Sequence, residues 1–237
     1  MAKTNPAPLI NLAAFILLCF TAGQTTAQID EDQLGIWTAY TWNTQFNESR
    51  WGLRGDIQLR NWDIYRDTEQ YLARAGFTYT PTTNRLSYQL GIASVTSTEF
   101  GPGNSSNTEN RIFQDVTFRH RSGERTNFQH RFRAEQRWIE NQRFRTRYRY
   151  AVTATTSINR KELVEDTWYV AMSNELFLNG ETAIGKGRQV DFFDRNRSAI
   201  ALGYLVNSDL RIQFGYMHQW TDNLDKGQMQ VRLSQRF

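Results

Sequence analysis

The sequence predicts an all-β fold, an antiparallel up-and-down transmembrane β-barrel of ten to twelve strands, with twelve preferred. Three observations carry this prediction. Apolar and polar residues alternate with a period of two through most of the chain, and the N-terminus has the form of an export signal. The mean hydropathy of −0.64 is too polar for a helical membrane protein but is compatible with strands that alternate.

A cleaved signal peptide is predicted for residues 1–27. Residues 9–20 form an apolar core that is shorter than the roughly 20 residues of a spanning helix. The small residues at 25–27 suit a cleavage site, so the mature chain is expected to begin near Gln28. A membrane anchor is the alternative interpretation, but Asn11 interrupts the apolar run.

Charge and cysteine content exclude several classes of protein. The formal net charge of +4 falls to +3 when Lys3 leaves with the signal peptide. Arginines alternate with apolar residues along strands and form no basic arm or helix, so nucleic-acid binding is not predicted. Cys19 is the one cysteine and lies in the signal segment, so disulfide bonds and thiol chemistry are excluded from the mature chain. Without a break in composition, residues 28–237 are predicted to form a single domain, the barrel.

The first four strand candidates alternate clearly between an apolar and a polar face. Their polar faces carry arginine, aspartate, glutamine and glycine, and turn residues at 81–84 separate the third candidate from the fourth. Their apolar faces are Ile36, Tyr40 and Trp42; Trp51, Leu53, Ile57 and Leu59; Tyr71, Ala73, Ala75, Phe77 and Tyr79; and Leu86, Tyr88, Leu90 and Ile92.

Seven further candidates follow a polar segment at 96–110, whose Gly, Pro, Ser and Asn content predicts a long irregular loop. A second long loop is predicted at 179–194 and a turn at 207–209. The apolar faces of these strands are Ile112, Val116 and Phe118; Phe128, Phe132, Ala134 and Trp138; Phe144, Tyr148, Tyr150 and Val152; Trp168, Val170 and Met172; Ile200, Leu202 and Tyr204; Leu210, Ile212, Phe214, Tyr216 and Trp220; and Met229, Val231, Leu233 and Phe237.

Eleven candidates conflict with the even strand number of single-chain bacterial outer-membrane barrels. We therefore expect either a missed strand before Leu34, which gives twelve, or one candidate outside the wall, which gives ten. If the last strand ends in the periplasm, both long loops lie outside the cell and the turns at 81–84 and 207–209 lie in the periplasm. The same count starts the first strand on the outer side, which is awkward for an exported chain.

The last strand resembles the terminal strand of bacterial outer-membrane β-barrels. Met229, Val231 and Leu233 occupy every second position before a carboxy-terminal Phe237. In that class the strand is read by the barrel-assembly machinery, so the resemblance implies that Phe237 is a membrane-assembly signal and the machinery a partner. Gln235 departs from the pattern, because an aromatic or aliphatic residue would be more usual there.

The contents of the two faces favour a membrane barrel over the alternative, a soluble periplasmic β-barrel or sandwich. Only three lysines follow the signal, whereas a soluble surface normally mixes lysine with glutamate. We therefore expect insertion in the outer membrane of a Gram-negative bacterium, with its lipids as partners. Tryptophan and tyrosine also gather near strand ends, as in aromatic girdles: Tyr40, Trp42, Trp51, Trp62, Tyr71, Tyr79, Trp138, Trp168, Tyr204 and Trp220.

Several motifs resemble the bacterial family called domain of unknown function 2490. They cover most of the mature chain in order, and they imply a predicted outer-membrane barrel without an assigned activity. The motifs are LGIW from Leu34, HRFRAEQRW at 130–138, NELFLN at 174–179, DRNR at 194–197, and LGY at 202–204 with GYMHQ at 215–219.

The strongest candidate site is a ladder of arginines on the polar faces. Rings of arginine suit the passage or binding of anions, so a narrow, anion-preferring channel or binding barrel is predicted. The alternative is a structural or surface-interaction barrel whose lumen is plugged by ion pairs with acids such as Asp56 and Asp115. The predicted lumen-lining and anion-binding residues are Arg54, Arg74, Arg111, Arg131, Arg133, Glu135, Arg137, Arg145, Arg147, Arg149, Glu175, Arg195, Arg197 and Arg211.

No enzyme is predicted, and an outer-membrane enzyme is the least favoured alternative. His130 and His218 lie on apolar faces that would meet lipid, and His120 lies beside a turn. No nucleophile elbow or paired carboxylate accompanies them. Neither a cofactor nor a metal is predicted, because the acids and amides of the two long loops lack ligand spacing. The substrate and the oligomeric state stay open.

Overall fold

The computed structural model describes residues 34–64, 68–82, 85–99, 105–222 and 225–237. Eleven strands close into a barrel, and a separate hairpin is formed by β9 and β10. No helix among the described residues is both long and apolar enough to cross a membrane. The predicted signal peptide lies outside the described residues. The strands are β1 (Gly35–Gln45), β2 (Trp51–Asn61), β3 (Thr68–Tyr79), β4 (Leu86–Thr98), β5 (Ser106–Ser122), β6 (Thr126–Ile139), β7 (Arg145–Ser157), β8 (Thr167–Asn179), β9 (Ala183–Gly185), β10 (Arg188–Gln189), β11 (Phe193–Leu205), β12 (Leu210–Trp220) and β13 (Asp225–Arg236).

The barrel closes through a parallel pair, and the predicted preference for twelve strands is wrong. Successive wall strands are antiparallel, whereas β1 pairs in parallel with β13 from Gly35–Gln228 to Asn43–Arg236. An up-and-down sheet of eleven strands brings its first and last strands together in the same direction, so only parallel pairing is open to them. This pairing satisfies the backbone hydrogen-bonding groups at both edges of the sheet. The barrel therefore closes with eleven strands, without the additional strand that would give twelve or the omission that would give ten.

The two ends of the barrel differ in their connections. The upper end holds the start of β1 and the connections after β2, β4, β6, β8 and β12; the lower end holds the other connections and the end of β13. Both predicted long loops lie at the upper end, and the turns near Pro81 and at 207–209 lie at the lower end. The lower end also carries a longer connection at 158–166.

Both predicted loops are shorter than expected. Within the segment 96–110, β4 continues to Thr98 and β5 begins at Ser106, and these two residues are directly paired. Serine and threonine are accommodated in a ladder because its hydrogen bonds come from the backbone, so polar composition alone misplaced the strand ends. In the segment 179–194, β9 and β10 form a small hairpin and β11 begins at Phe193.

The polarity of the barrel is inverted relative to that of a soluble protein. On the outer face, Ile92 is 67% exposed, Phe77 is 61% exposed and Leu90 is 58% exposed. On the inner face, Glu135 is 1% exposed and Arg147 is 4% exposed. Strand alternation therefore places large apolar side chains outside and charged side chains inside, as the sequence predicts.

Aromatic pairs occupy the outer face at both ends of the barrel. Each pair joins residues at or directly beside the ends of two neighbouring strands, with two pairs at the lower end and two at the upper end. The ring centroids are 4.9 Å apart in Trp51–Tyr79 and 4.8 Å apart in Trp168–Tyr204 at the lower end, and 5.3 Å apart in Trp138–Phe144 and 5.0 Å apart in Phe193–Trp220 at the upper end.

Glycines give inner aromatic rings a place to lie flat against the wall. A Cβ atom on Gly203 would lie 2.2 Å from Cζ of Tyr169, which is directly paired with it on β8. Likewise, a Cβ atom on Gly91 would lie 2.5 Å from Cζ of Phe113 on β5. The rings fill the space above each glycine, and the small residue is required by this packing.

Replacement of Gly203 with alanine is expected to lower the free energy of unfolding by about 1–3 kcal/mol, because the added methyl group collides with the buried Tyr169 ring. Urea unfolding of the purified protein measures the change. Tyr169→Ala removes the obstacle, so the two substitutions are expected to be non-additive in a double-mutant cycle. Additive effects would show that the ring and the glycine are not coupled.

Candidate anion-binding lumen

All of the predicted lumen residues project from the inner face of the wall. The most buried of them lie on β5, β6 and β7, where arginines occupy alternate positions of adjacent strands. Direct cross-strand pairing brings Arg111 beside Arg137, Arg137 beside Arg145, and Arg133 beside Arg149. Like charges at such close range require carboxylates between them.

Glu135 is the centre of the ion-pair network. Its carboxylate lies 2.6 Å from Nη2 of Arg147 and 2.7 Å from Nη1 of Arg149. Arg133 and Arg111 approach the same carboxylate at 3.7 Å and 4.0 Å. One buried glutamate thus compensates several guanidinium groups from β5, β6 and β7.

Two further carboxylates on β5 hold arginines in two-pronged contacts. Arg133 donates from Nε and Nη2 to the two oxygens of Asp115, both at 2.6 Å. Glu109 accepts from Arg111 Nε at 2.6 Å and from Arg137 Nη2 at 3.0 Å. This planar geometry is the strong form of the arginine–carboxylate contact.

The remaining inner carboxylates each hold one or two cations. Each of these contacts joins different strands, except the one between the adjacent Arg195 and Asp194. Glu175 binds Arg131 at 2.5 Å and Arg149 at 2.7 Å, Asp194 binds Arg147 at 3.1 Å and Arg195 at 3.0 Å, Glu69 binds Lys226 at 2.8 Å, and Asp56 binds Arg74.

A second group of inner arginines has no carboxylate partner among the described residues. Arg60 and Arg197 both approach the indole of Trp37, with Cζ at 3.7 Å and 5.4 Å from its ring centroid. Arg197 also lies 4.9 Å from the ring of Phe177 and donates from Nε to Gln219 at 2.8 Å. The other members of this group are Arg54, Arg119, Arg145, Arg211, Arg232 and Arg236.

The inner-face residues line two large cavities and a smaller one of about 90 Å³. The upper cavity, about 370 Å³, reaches from Trp37 and Arg60 to Phe177 and Arg197. The lower cavity, about 620 Å³, opens among the connections of the lower end. Four residues line both large cavities, which places the narrow part of the lumen between them: Thr41, Arg74, Gln129 and Arg232.

Comparison with known proteins agrees with the resemblance seen in the motifs. The model of the family described as "Protein of unknown function (DUF2490)" matches residues 34–230, which include ten whole wall strands and half of β13. The chain belongs to this family. No curated protein and no solved structure matches it.

The histidines of this family member lie on the outer face. His120 lies near the end of β5, beside the turn to β6 as predicted, and its ring stacks on Phe128 at 5.1 Å and on His130 at 5.2 Å. His130 Nδ1 lies 2.8 Å from the hydroxyl of Tyr150. His218 contacts Asp225 between β12 and β13. All of these groups are separated from the lumen by the wall.

Three inner carboxylates were not predicted from the sequence. Glu109 and Asp194 lie in segments expected to be loops, and Glu69 precedes the third strand candidate. Continuing the period-two alternation by one or two residue pairs would have placed Glu109 on the inner face beside Arg111. Arg60 and Arg232 share the polar faces of their strands but were left out of the predicted lumen set, although both line the upper cavity.

Phe237 follows β13 directly and is exposed. Its backbone N–H donates to the carbonyl of Asn43 at 3.0 Å, which extends the parallel pairing of β1 and β13 by one bond. Its role as an assembly signal stays a prediction.

Proposed function

We propose that the chain is a β-barrel of the bacterial outer membrane whose narrow lumen prefers anions. The observation that carries the proposal is the inverted polarity of the wall: an exposed apolar outer face surrounds a buried, arginine-rich interior. In water such an outer face would be a large exposed apolar surface, which is unfavourable. In a membrane the same face would contact the apolar acyl chains of the lipids.

Strand length and aromatic placement support membrane insertion. Every wall strand has 11 to 17 residues, and about 9–11 residues suffice for a tilted strand to cross the hydrocarbon core. The aromatic pairs at both ends match the two girdles that mark the membrane interfaces. The signal peptide predicted for residues 1–27 would supply the export that such a location needs.

The surplus of inner cations supports the preference for anions. The inner carboxylates described above already bind arginine or Lys226, and the unpaired arginines leave the interior positive. Arg232 extends this positive lining into the narrow part of the lumen. Arginine keeps its charge even where it is buried, so the field persists across the physiological pH range.

The competing function is a structural barrel whose lumen is plugged. The network around Glu135 favours it, because several strands are tied together across the interior. The same network makes neutralisation of Arg147 and Arg149 a poor test of conduction, since it would leave Glu135 unpaired. Arg232 is the better position, because no described carboxylate pairs with it.

Single-channel recording in a planar bilayer, with the protein purified in detergent and a KCl gradient across the membrane, distinguishes the two functions. Steady conductance with a reversal potential toward that of chloride is expected. Arg232→Gln should move the reversal potential toward zero, because it removes one positive charge from the narrow part of the lumen.

Arg160→Gln is the matched control, because Arg160 is exposed in the connection between β7 and β8. This variant should keep the selectivity of the unmodified protein. A barrel that inserts but stays silent would contradict the anion-preferring lumen and favour the plugged barrel. A barrel that conducts cations in preference to anions would contradict both functions.

A further inference from the structure

We infer that the upper cavity is a binding site for a small multivalent oxyanion of the phosphate class, held by Arg60 and Arg197. This inference rests on the proposed function, an anion-preferring lumen, and assigns a class of ligand to one part of that lumen. Binding to the purified barrel does not depend on conduction, so the two ideas fail separately.

Unsatisfied donors indicate that an acceptor belongs in this region. Among the residues that line the upper cavity, the buried side-chain atoms without a hydrogen-bond partner among the described residues include Nε of Arg60, Nε of Arg131 and Nη1 of Arg137. Arg60 is 5% exposed, and buried donors of this kind almost always have a partner in folded proteins. Because all three donors belong to cations, the complementary acceptor is an anion.

Arg60 is held in place by a chain of contacts that leaves its Nε donor without a partner among the described residues. Asp56 accepts from Nε2 of Gln58 at 2.5 Å, and Oε1 of Gln58 accepts from the indole N–H of Trp37 at 3.0 Å. The Arg60 guanidinium stacks on the face of this fixed indole, with its Cζ at 3.7 Å from the ring centroid. Stacking uses the face of a guanidinium and leaves its in-plane N–H groups available to a ligand.

Arg197 completes the site from another strand. Its guanidinium approaches the same indole from β11 and also lies over the ring of Phe177. The two arginines therefore converge on one indole, and no described carboxylate forms an ion pair with either of them, although Glu175 lies directly opposite Arg197 on β8 and binds other arginines. Two convergent guanidinium groups suit an ion with several oxygens and more than one negative charge.

The cavity walls select for a small, highly charged ligand. Glu109 and Glu175, which line the cavity, each already bind two arginines. The volume of about 370 Å³ accommodates a phosphate ion with some of its water but excludes a large ligand. Donors arrive from β2 and β11 on different sides, and a tetrahedral oxyanion presents oxygens in several directions at once.

Isothermal titration calorimetry of the full-length protein, purified in detergent from the expressing cells, tests the site with inorganic phosphate at constant ionic strength. We expect saturable phosphate binding that chloride at the same ionic strength does not abolish. Arg60→Gln and Arg197→Gln should each weaken the binding by about tenfold or more, because each removes a charged hydrogen-bond donor.

Arg119→Gln is the matched control within the lumen. Arg119 lines only the lower cavity, and Gln129, to which it donates, is not one of the groups assigned to the ligand, so loss of Arg119 should leave phosphate affinity unchanged. Folding is checked by thermal unfolding without phosphate: loss of an unpaired buried cation should leave the transition unchanged or raise it. Phosphate should raise the transition temperature of the unmodified protein more than that of either variant.

Two outcomes would overturn the inference. One is phosphate binding no stronger than that of chloride, and the other is equal loss of affinity in the Arg60, Arg197 and Arg119 variants. If phosphate binds as expected and the bilayer recordings are silent, the oxyanion site stands and only the conducting lumen is rejected.

Discussion

Replacement of Glu135 with glutamine is expected to lower the free energy of unfolding by about 3–5 kcal/mol. The carboxylate is almost completely buried and contacts Arg147 and Arg149 directly, with Arg133 close by. Glutamine keeps the size and the hydrogen-bonding oxygen but removes the charge, which leaves buried guanidinium groups without compensation. Failure of the variant to assemble would be the extreme form of the same result.

Urea unfolding in lipid vesicles, followed by tryptophan fluorescence, measures this change. Glu124→Gln is the control, because Glu124 makes an exposed ion pair with Lys161 at 3.0 Å and its loss should have no measurable effect. If the Glu135 variant is as stable as the unmodified protein, the network does not stabilise the interior and the plugged-barrel alternative loses its main support.

Replacement of Ile92 with arginine is expected to lower the free energy of unfolding by about 2–4 kcal/mol in a bilayer. Ile92 lies in the middle of β4 and its side chain points outward, so the new charge would face hydrocarbon if the barrel spans a membrane. In a soluble barrel the same exposed position would be solvated, and surface substitutions of that kind change stability by about 0.5 kcal/mol or less.

Ser122→Arg provides the comparison, because Ser122 is the last residue of β5 and lies next to the turn. A charge at this end of the wall reaches the interface, where its cost falls to about 0–1 kcal/mol. Equal stabilities of the two variants, measured by urea unfolding in the same vesicles, would contradict membrane insertion and favour the alternative of a soluble barrel.

The sequence predicted the wall well because a strand has a side-chain period of two. Each of the eleven candidates is a wall strand, and the residues that it assigned to the polar face, such as Arg147, lie inside. The strand number was misjudged because a rule taken from other barrels was preferred to the count. Strand ends were misjudged where serine and threonine continue a ladder, and this hid Glu109 within a presumed loop.

The partners of the arginines could not be read from the sequence, because pairing depends on how the barrel closes. Trp37 on β1 meets Arg197 on β11 only after the first and last strands have joined. The period-two alternation predicts which face of the sheet a side chain occupies. The residues that this side chain contacts across the lumen depend on the strand register around the whole barrel. The distinction between paired and unpaired arginines therefore required the structure.

The parallel pairing of β1 with β13 also fixes the order in which the barrel is completed. Its neighbours are remote in the chain: the hydroxyl of Tyr40 donates to Gln235, 195 residues away, at 3.0 Å. The other wall contacts join strands that follow one another and form across short loops, which cost less entropy to close. Closure therefore requires the last strand to be in place, and a sheet that has not yet closed carries two open edges that must be shielded from other chains.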